Sequence, residues 1–137
     1  MILKMDVRCG IDIVDISRFV KIVKDENTSF INKCFTEGEI EYCESSKNPD
    51  KKAERYAARF AAKEAVGKAL GTGLLSDGVG MHDIEVTKDE KGAPKIRLSG
   101  GALRHADEIG MNSLSISLSH DGGIAGAYCV MLLEKKK

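Results

Sequence analysis

Arg55-Tyr56-Ala57-Ala58-Arg59-Phe60-Ala61-Ala62-Lys63-Glu64-Ala65-Val66-Gly67-Lys68 is the stretch that decides how this chain is read. It lies inside a helical signal running from about Lys51 to Leu70, alanine-rich, interrupted only by Gly67 and stopped by Gly71 in the C-cap position. From Asp50 to Leu70 the basic residues Lys51, Lys52, Arg55, Arg59, Lys63 and Lys68 outnumber the acidic Asp50, Glu54 and Glu64. Charge alone reads as a solvated face. The small residues Ala57, Ala58, Ala61, Ala62, Ala65 and Gly67 add something else: they make the helix thin, so that another element or a ligand can approach closely. Glu64 and Lys68 stand four apart and share a face. Two readings stay open for them. They form a helix-stabilising pair worth roughly a few tenths of a kcal/mol, or the carboxylate holds a metal while the ammonium holds a phosphate bound to that metal.

Mg²⁺ suits the second reading. It takes oxygen ligands at about 2.0–2.1 Å and uses only one or two protein carboxylates, leaving the rest to water and phosphate. A partner carboxylate is therefore needed. Val7, Cys9, Ile11 and Ile13 alternate with Arg8, Gly10, Asp12 and Val14, the period of a strand. Asp12 falls on the face opposite Ile11 and Ile13, the expected solvent side. It is a candidate second ligand, or else a local hydrogen-bonder; spacing alone does not bring two distant carboxylates together.

The rest of the chain reads around these two elements. Ser17 is a candidate cap for a short helix carrying Phe19, Ile22 and Val23. Thr36 and Glu39 form a capping-box pattern that starts an acidic helix through about Ser45. Asn48-Pro49-Asp50 reads as a turn, and Gly71, Gly73, Gly78 and Gly80 mark a loop. Strands follow near His82–Lys88 and Pro94–Leu98, joined by a turn at Asp89-Glu90-Lys91-Gly92. Gly100–Ile109 is a short helix, Ser113–Ser119 a one-sided strand, and Ile124–Leu133 a continuously apolar strand expected to be buried. The order β-α-α-α-β-β-α-β-β predicts an α+β fold with a largely antiparallel sheet packed against the long helix, in one domain over residues 1–137.

Composition narrows the function. Lys+Arg and Asp+Glu are both 21, Trp is absent and aromatics are 5%. No global field recruits nucleic acid or an anionic membrane, and no base-stacking platform is suggested. The first six residues have no long apolar segment and no stretch approaches the roughly 20 apolar residues that span a bilayer, so an intracellular location is expected. Cys9, Cys34, Cys43 and Cys129 are widely spaced, which argues for reduced thiols packed as small apolar residues rather than zinc ligands or disulfides. Ser117-Leu118-Ser119-His120-Asp121-Gly122-Gly123 ends a strand in a glycine turn, leaving His120 either at the surface or facing a ligand. Ser119, His120 and Asp121 cannot relay protons as a hydrolase triad, because neighbours along a strand point to opposite faces. His82 and His105 lack metal-ligand spacing and read as structural or surface residues, and the glycines from 71 to 80 match no phosphate-loop or dinucleotide fingerprint.

Gly10-Ile-Asp12-Ile-Val-Asp-Ile-Ser-Arg18-Phe19, Phe35-Thr36-x-x-Glu39, Arg59-Phe-Ala-Ala-Lys63-Glu64-Ala-x-x-Lys68-Ala-x-Gly71-Thr72-Gly73 and Ser117-x-Ser119-His120-Asp121 together resemble the short bacterial holo-(acyl carrier protein) synthases of the 4'-phosphopantetheinyl transferase superfamily. Order, spacing and length fit over nearly the whole chain, and the Arg59–Gly73 block is the most specific. The resemblance implies a compact protomer that assembles as a trimer, with active sites in the clefts between neighbours. It implies a cytoplasmic enzyme that moves 4'-phosphopantetheine from coenzyme A to a serine of acyl carrier protein, releases adenosine 3',5'-bisphosphate, and serves fatty acid biosynthesis.

It implies residue roles as well. Asp12 and Glu64 hold Mg²⁺ and form the catalytic set with Lys68, which contacts the pyrophosphate. Arg59 and His120 lie near the nucleotide end, Lys63, Gly71, Thr72 and Gly73 near the ligand, and Arg18 on the carrier-docking surface. Such a surface needs basic residues to meet an acidic carrier helix. The serine proton goes to Glu64, directly or through a metal-bound water. A non-catalytic coenzyme A or carrier-binding module is the reading from another class; both carboxylates and Lys68 count against it. An RNA-binding module using the basic helix has the neutral total charge and scarce aromatics against it.

Overall fold

The computed structural model describes residues 3–72 and 78–136. Strand β1 (Leu3–Asp15) leads into helices α1 (Ile16–Lys24), α2 (Thr28–Cys34), α3 (Glu37–Glu44) and α4 (Pro49–Leu70). A short 3₁₀ turn (Met81–Asp83), strands β2 (Ile84–Lys88) and β3 (Pro94–Leu98), helix α5 (Gly100–Ile109) and strands β4 (Met111–Asp121) and β5 (Ile124–Lys136) complete it. The sheet order is β1-β5-β4, antiparallel throughout, with β2 and β3 as a separate hairpin. The expected α+β architecture is present, with one α-helix and the 3₁₀ turn beyond the expected order. Helix α2 is capped by Asn27, whose side chain accepts from the Phe30 amide; it is too short for helical periodicity to register.

The caps refine other boundaries. Asp15, not Ser17, caps α1, accepting from the Ser17 amide. The Thr36–Glu39 capping box of α3 is formed in full. Asn48 caps α4, and Pro49, read as a turn residue, is instead its first helical residue, where a missing N–H costs nothing. Gly71 ends α4 at φ 85°, a left-handed conformation that suits glycine. Gly122 and Gly123 take the same region in the β4–β5 turn.

Helix α4 lies across β1, and Gly10 is why it can. A Cβ at Gly10 would fall inside van der Waals contact of the Ala65 carbonyl oxygen and 2.9 Å from the Ala69 nitrogen. With Ala57, Ala61, Ala62, Ala65 and Ala69 all buried, helix and strand meet almost backbone to backbone. This reverses the expected facing of β1. Arg8, Gly10, Asp12 and Val14 turn toward α4, while Val7, Ile11 and Ile13 are 62%, 57% and 65% exposed. Asp12 is therefore not on the solvent side. Strand β5 departs from expectation in a related way. Ala125, Ala127, Cys129, Met131 and Leu133 are buried, but Ile124 and Tyr128 are exposed. One face of the sheet packs on α4 and the other presents apolar side chains outward.

Candidate active site

Asp12 sits near the C-terminal end of β1, paired with Ala127 of β5, and its carboxylate meets the last turns of α4. The Lys68 ammonium donates to Asp12 Oδ1 at 3.2 Å and to the Ile11 carbonyl at 2.8 Å. Rather than pairing along its own helix with Glu64, Lys68 crosses to the strand. Glu64, one turn earlier, is near enough to feel the charge of the same carboxylate. Burial pushes its carboxyl above the ordinary glutamate range, the Asp12 charge pushes it further, and Lys68 and Arg18 offset part of the rise. Two carboxylates that repel each other and a lysine that already bridges to one of them make a site that favours a cation. Among the described residues no group of three or more His, Cys, Asp or Glu side chains converges. Two carboxylates with the remaining positions open fit Mg²⁺, which keeps water and takes phosphate oxygens, better than a metal needing a closed protein cage.

Arg18 is close to this centre. It is exposed on α1, with its guanidinium carbon 5.1 Å from the Phe60 ring centroid, 5.7 Å from Phe19 and 5.8 Å from Phe30. The rings hold a positive charge at the edge of the site without neutralising it.

Arg59 of α4 and His120 of β4 lie apart from this centre. A cavity of about 250 Å³ lies between α4, β4 and the β2–β3 hairpin, lined by Tyr42, Lys51, Glu54, Arg55, Ala58, Arg59, Lys88, Gly92, Pro94, Leu118 and His120. Glu54 is the only acid among them, and its carboxylate is 3.9 Å from His120 Nε2. None of Asp12, Glu64 and Lys68 lines this cavity. Within one chain, then, the carboxylate–lysine centre and the cationic cavity are separate. The sequence reading missed Lys51, Arg55, Lys88 and Tyr42. The spacing of Lys51, Arg55 and Arg59 at intervals of four was a visible signal for the first two; Tyr42 and Lys88 join only through tertiary packing.

Lys63 is corrected. Expected near the substrate, it is 0% exposed. Its ammonium donates to the Met81 and Ile84 carbonyls at 2.9 and 2.6 Å and pairs with Glu39 Oε1 at 2.7 Å. Glu39 in turn accepts from the Thr36 and Val86 amides. With its three protons engaged, Lys63 has none to offer a ligand; it ties α4 to α3 and to the start of β2. Burial holds its ammonium below the ordinary lysine range despite Glu39. Gly71 and Thr72 sit at the C-terminal exit of α4, on the Lys68 side, and Gly73 lies outside the described residues. His82 and His105 do structural work as expected, contacting the Asn32 and Leu70 carbonyls at 2.8 and 2.9 Å. Cys34, Cys43 and Cys129 are buried, Cys9 is exposed, and all four are free thiols.

Carboxylates beside a lysine at one place and a cavity rich in cations at another are chemically suited to a phosphate-bearing ligand. The chain belongs to the 4'-phosphopantetheinyl transferase superfamily, which matches residues 8–129. It is 46% identical over 126 residues to a holo-[acyl-carrier-protein] synthase of Geotalea daltonii, covering 92% of this chain and 96% of the relative. It is 44% identical over 129 residues to one of Ruminiclostridium cellulolyticum, covering 94% of each. Among solved structures it resembles Helicobacter pylori holo-[acyl-carrier-protein] synthase in complex with coenzyme A, with TM-score 0.75 and 36% identity over 90% of this chain and 98% of that one. The Bacillus anthracis synthase in complex with CoA (3',5'-ADP) matches with TM-score 0.75 and 32% identity over 95% and 99%. No helix among the described residues is long and apolar enough to cross a membrane.

Proposed function

We propose that this chain is a holo-(acyl carrier protein) synthase, which transfers 4'-phosphopantetheine from coenzyme A to a serine of apo acyl carrier protein and releases adenosine 3',5'-bisphosphate. The observation that carries the reading is the meeting of Asp12, Glu64 and Lys68 across the β1–α4 contact, in a chain whose relatives bear that name over nearly their whole length.

Each residue takes a role that its position supports. Asp12 and Glu64 are the residues that would hold Mg²⁺, which when bound supplies positive charge to the pyrophosphate. Lys68, half-exposed and already on Asp12, swings to a pyrophosphate oxygen and neutralises charge that builds on the leaving group. Glu64 takes the proton of the carrier serine, directly or through a metal-bound water. The serine oxygen forms a bond to the β-phosphorus, the bridging bond to the α-phosphate breaks, and adenosine 3',5'-bisphosphate leaves with the electron pair. Arg59 and His120 receive the nucleotide end, and the Gly71-Thr72 backbone lies along the ligand. Arg18 meets the acidic helix of the carrier.

The assembly is a homotrimer, built from one domain per chain. Val7, Ile11, Ile13, Ile124 and Tyr128 make an apolar outer sheet face that a monomer leaves in water. A neighbouring copy covers that face and brings its own residues to the cleft, joining the carboxylate centre of one chain to the cationic cavity of the next. The enzyme acts in the cytoplasm, in fatty acid biosynthesis. Intact-mass spectrometry of apo acyl carrier protein incubated with the enzyme, coenzyme A and Mg²⁺ tests the activity. A gain of one phosphopantetheine per carrier, absent when the metal is chelated, is expected; an unmodified carrier refutes it in favour of a coenzyme A or carrier-binding module. Sedimentation equilibrium at the mass of three chains is expected, and a monomer refutes the assembly.

A further inference from the structure

The end of α4 is held from two sides at one atom. Leu70 is the last residue of the helix, so its carbonyl has no intrahelical donor, and the residue is fully buried. Two side chains supply donors instead. Arg8 of β1 donates from Nη1 to the Leu70 oxygen at 3.0 Å, and His105 of α5 places Nε2 2.9 Å from the same oxygen. A carbonyl only accepts, so His105 Nε2 carries the proton. Both groups sit at the negative end of the helix, where donors and cations are favoured. Gly71 leaves room for the guanidinium: a Cβ there would stand 2.8 Å from Arg8 Nη1.

Arg8 also belongs to a set of ties between β1 and the last turns of α4. Arg8, Gly10 and Asp12 share one face of the strand. Gly10 takes the backbone of Ala65 and Ala69 at close contact. Lys68 reaches back to the Ile11 carbonyl at 2.8 Å and to Asp12 Oδ1 at 3.2 Å. The proposed reaction breaks the Lys68 tie, because Lys68 leaves the strand for a pyrophosphate oxygen. Among the described residues, the side-chain hydrogen bond that remains between β1 and α4 is that of Arg8. His105 holds the same carbonyl from α5. That helix is anchored independently of His105: Gly101 packs on the Gly78 carbonyl so closely that no Cβ fits there.

We propose that Arg8 and His105 are positioning residues for the transfer. By clamping the Leu70 carbonyl they keep the last turn of α4, and with it Lys68, in place against Asp12 while the ammonium turns to the substrate. The inference rests on the proposed transferase function, in which Lys68 contacts the pyrophosphate of coenzyme A. Arg8 and His105 act through Lys68 and not on the reacting atoms.

The test is calorimetric titration of coenzyme A in the presence of Mg²⁺. It compares the wild type, Arg8→Met and His105→Leu with the same two substitutions made in a Lys68→Met background. Each clamp variant leaves the Leu70 carbonyl one donor, so the fold is kept. Losing one donor is expected to weaken coenzyme A binding about fivefold where Lys68 is present, and under about twofold in the Lys68→Met background. Arg8→Lys, which keeps a donor and the charge, retains most of the affinity. Losses of equal size in the two backgrounds are what a purely structural role produces, and they overturn the proposal. So does unchanged binding in both clamp variants, or a loss in Arg8→Lys as large as in Arg8→Met. Should Arg8→Met fail to fold, His105→Leu in the two backgrounds decides by the same criterion. Intact-mass spectrometry of apo acyl carrier protein separates the two readings. A wild type that modifies the carrier while its clamp variants bind coenzyme A normally overturns the clamp alone. One that shows the Lys68-dependent loss but leaves the carrier unmodified supports the clamp and refutes the transferase function.

Discussion

Gly10→Ala is the substitution that most sharply probes how α4 rests on β1. At a strand position with open space, alanine in place of glycine stabilises a protein by about 0.4–1 kcal/mol, because the unfolded chain loses freedom. At Gly10 the added methyl meets the Ala65 carbonyl oxygen inside contact distance and the Ala69 nitrogen at 2.9 Å. Both obstacles are helix backbone, so no side chain can swing aside, and the helix as a whole has to lift. Overpacking of this kind costs about 1–3 kcal/mol or more. Set against the entropic gain, a net destabilisation of roughly 2 kcal/mol is expected, which lowers Tm by roughly 6–10 °C for a chain of this size. The displaced residues adjoin Glu64 and Lys68, while Asp12 lies two residues from the substitution, so the carboxylate pair separates as well. Urea unfolding followed by circular dichroism measures the first effect and divalent-metal titration the second. A variant as stable as the wild type, or more stable, with unchanged metal affinity refutes the close-contact account of this interface.

Glu64→Gln is expected to abolish transfer without unfolding the protein; full activity removes Glu64 from the site. The same variant carries a pH signature. The Glu64 carboxyl binds its proton more tightly folded than unfolded, so its contribution to stability is present below the ordinary carboxylate value and is lost as pH rises through the raised folded value. The metal-free wild type therefore loses stability relative to Glu64→Gln as pH rises above the ordinary glutamate value, measured by urea unfolding; parallel profiles contradict this. Lys63→Met strands the Glu39 charge in the core and is expected to cost about 3–5 kcal/mol, part of it recovered in the Lys63→Met/Glu39→Gln double variant. Equal stability of single and wild-type proteins argues against the buried pair. Arg18→Glu is expected to weaken carrier binding about tenfold and coenzyme A binding far less, by fluorescence titration; equal losses argue against docking.

The fold was legible where local rules dominate. The capping box of Thr36 and Glu39, the Gly71 stop and the alanine run of α4 each rest on a few adjacent residues, and the structure keeps them. What escaped was orientation. The alternation in β1 identified a strand, but periodicity does not say which face is inside, and the apolar face turned outward because Gly10 lets the helix take the other side. The continuous apolarity of β5 has the same origin: a sheet with two apolar faces reads as buried even when one face is exposed. Lys63 and Glu64 are adjacent in sequence and equally polar, yet one ends in the core and the other at the site, a distinction made by Glu39 and the Met81 and Ile84 carbonyls from distant segments. The resemblance pairs Asp12 with Glu64; what the structure adds is Lys68 reaching Asp12 across the β1–α4 contact, which spacing along the helix did not signal.

On the proposed function, Asp12 and Glu64 together make one metal centre beside Lys68. Titration of Mn²⁺ in the presence of coenzyme A, followed by electron paramagnetic resonance, tests it most directly. One tightly held ion per chain is expected in the wild type, lost in Asp12→Asn and in Glu64→Gln alike; wild-type binding in either variant contradicts the account.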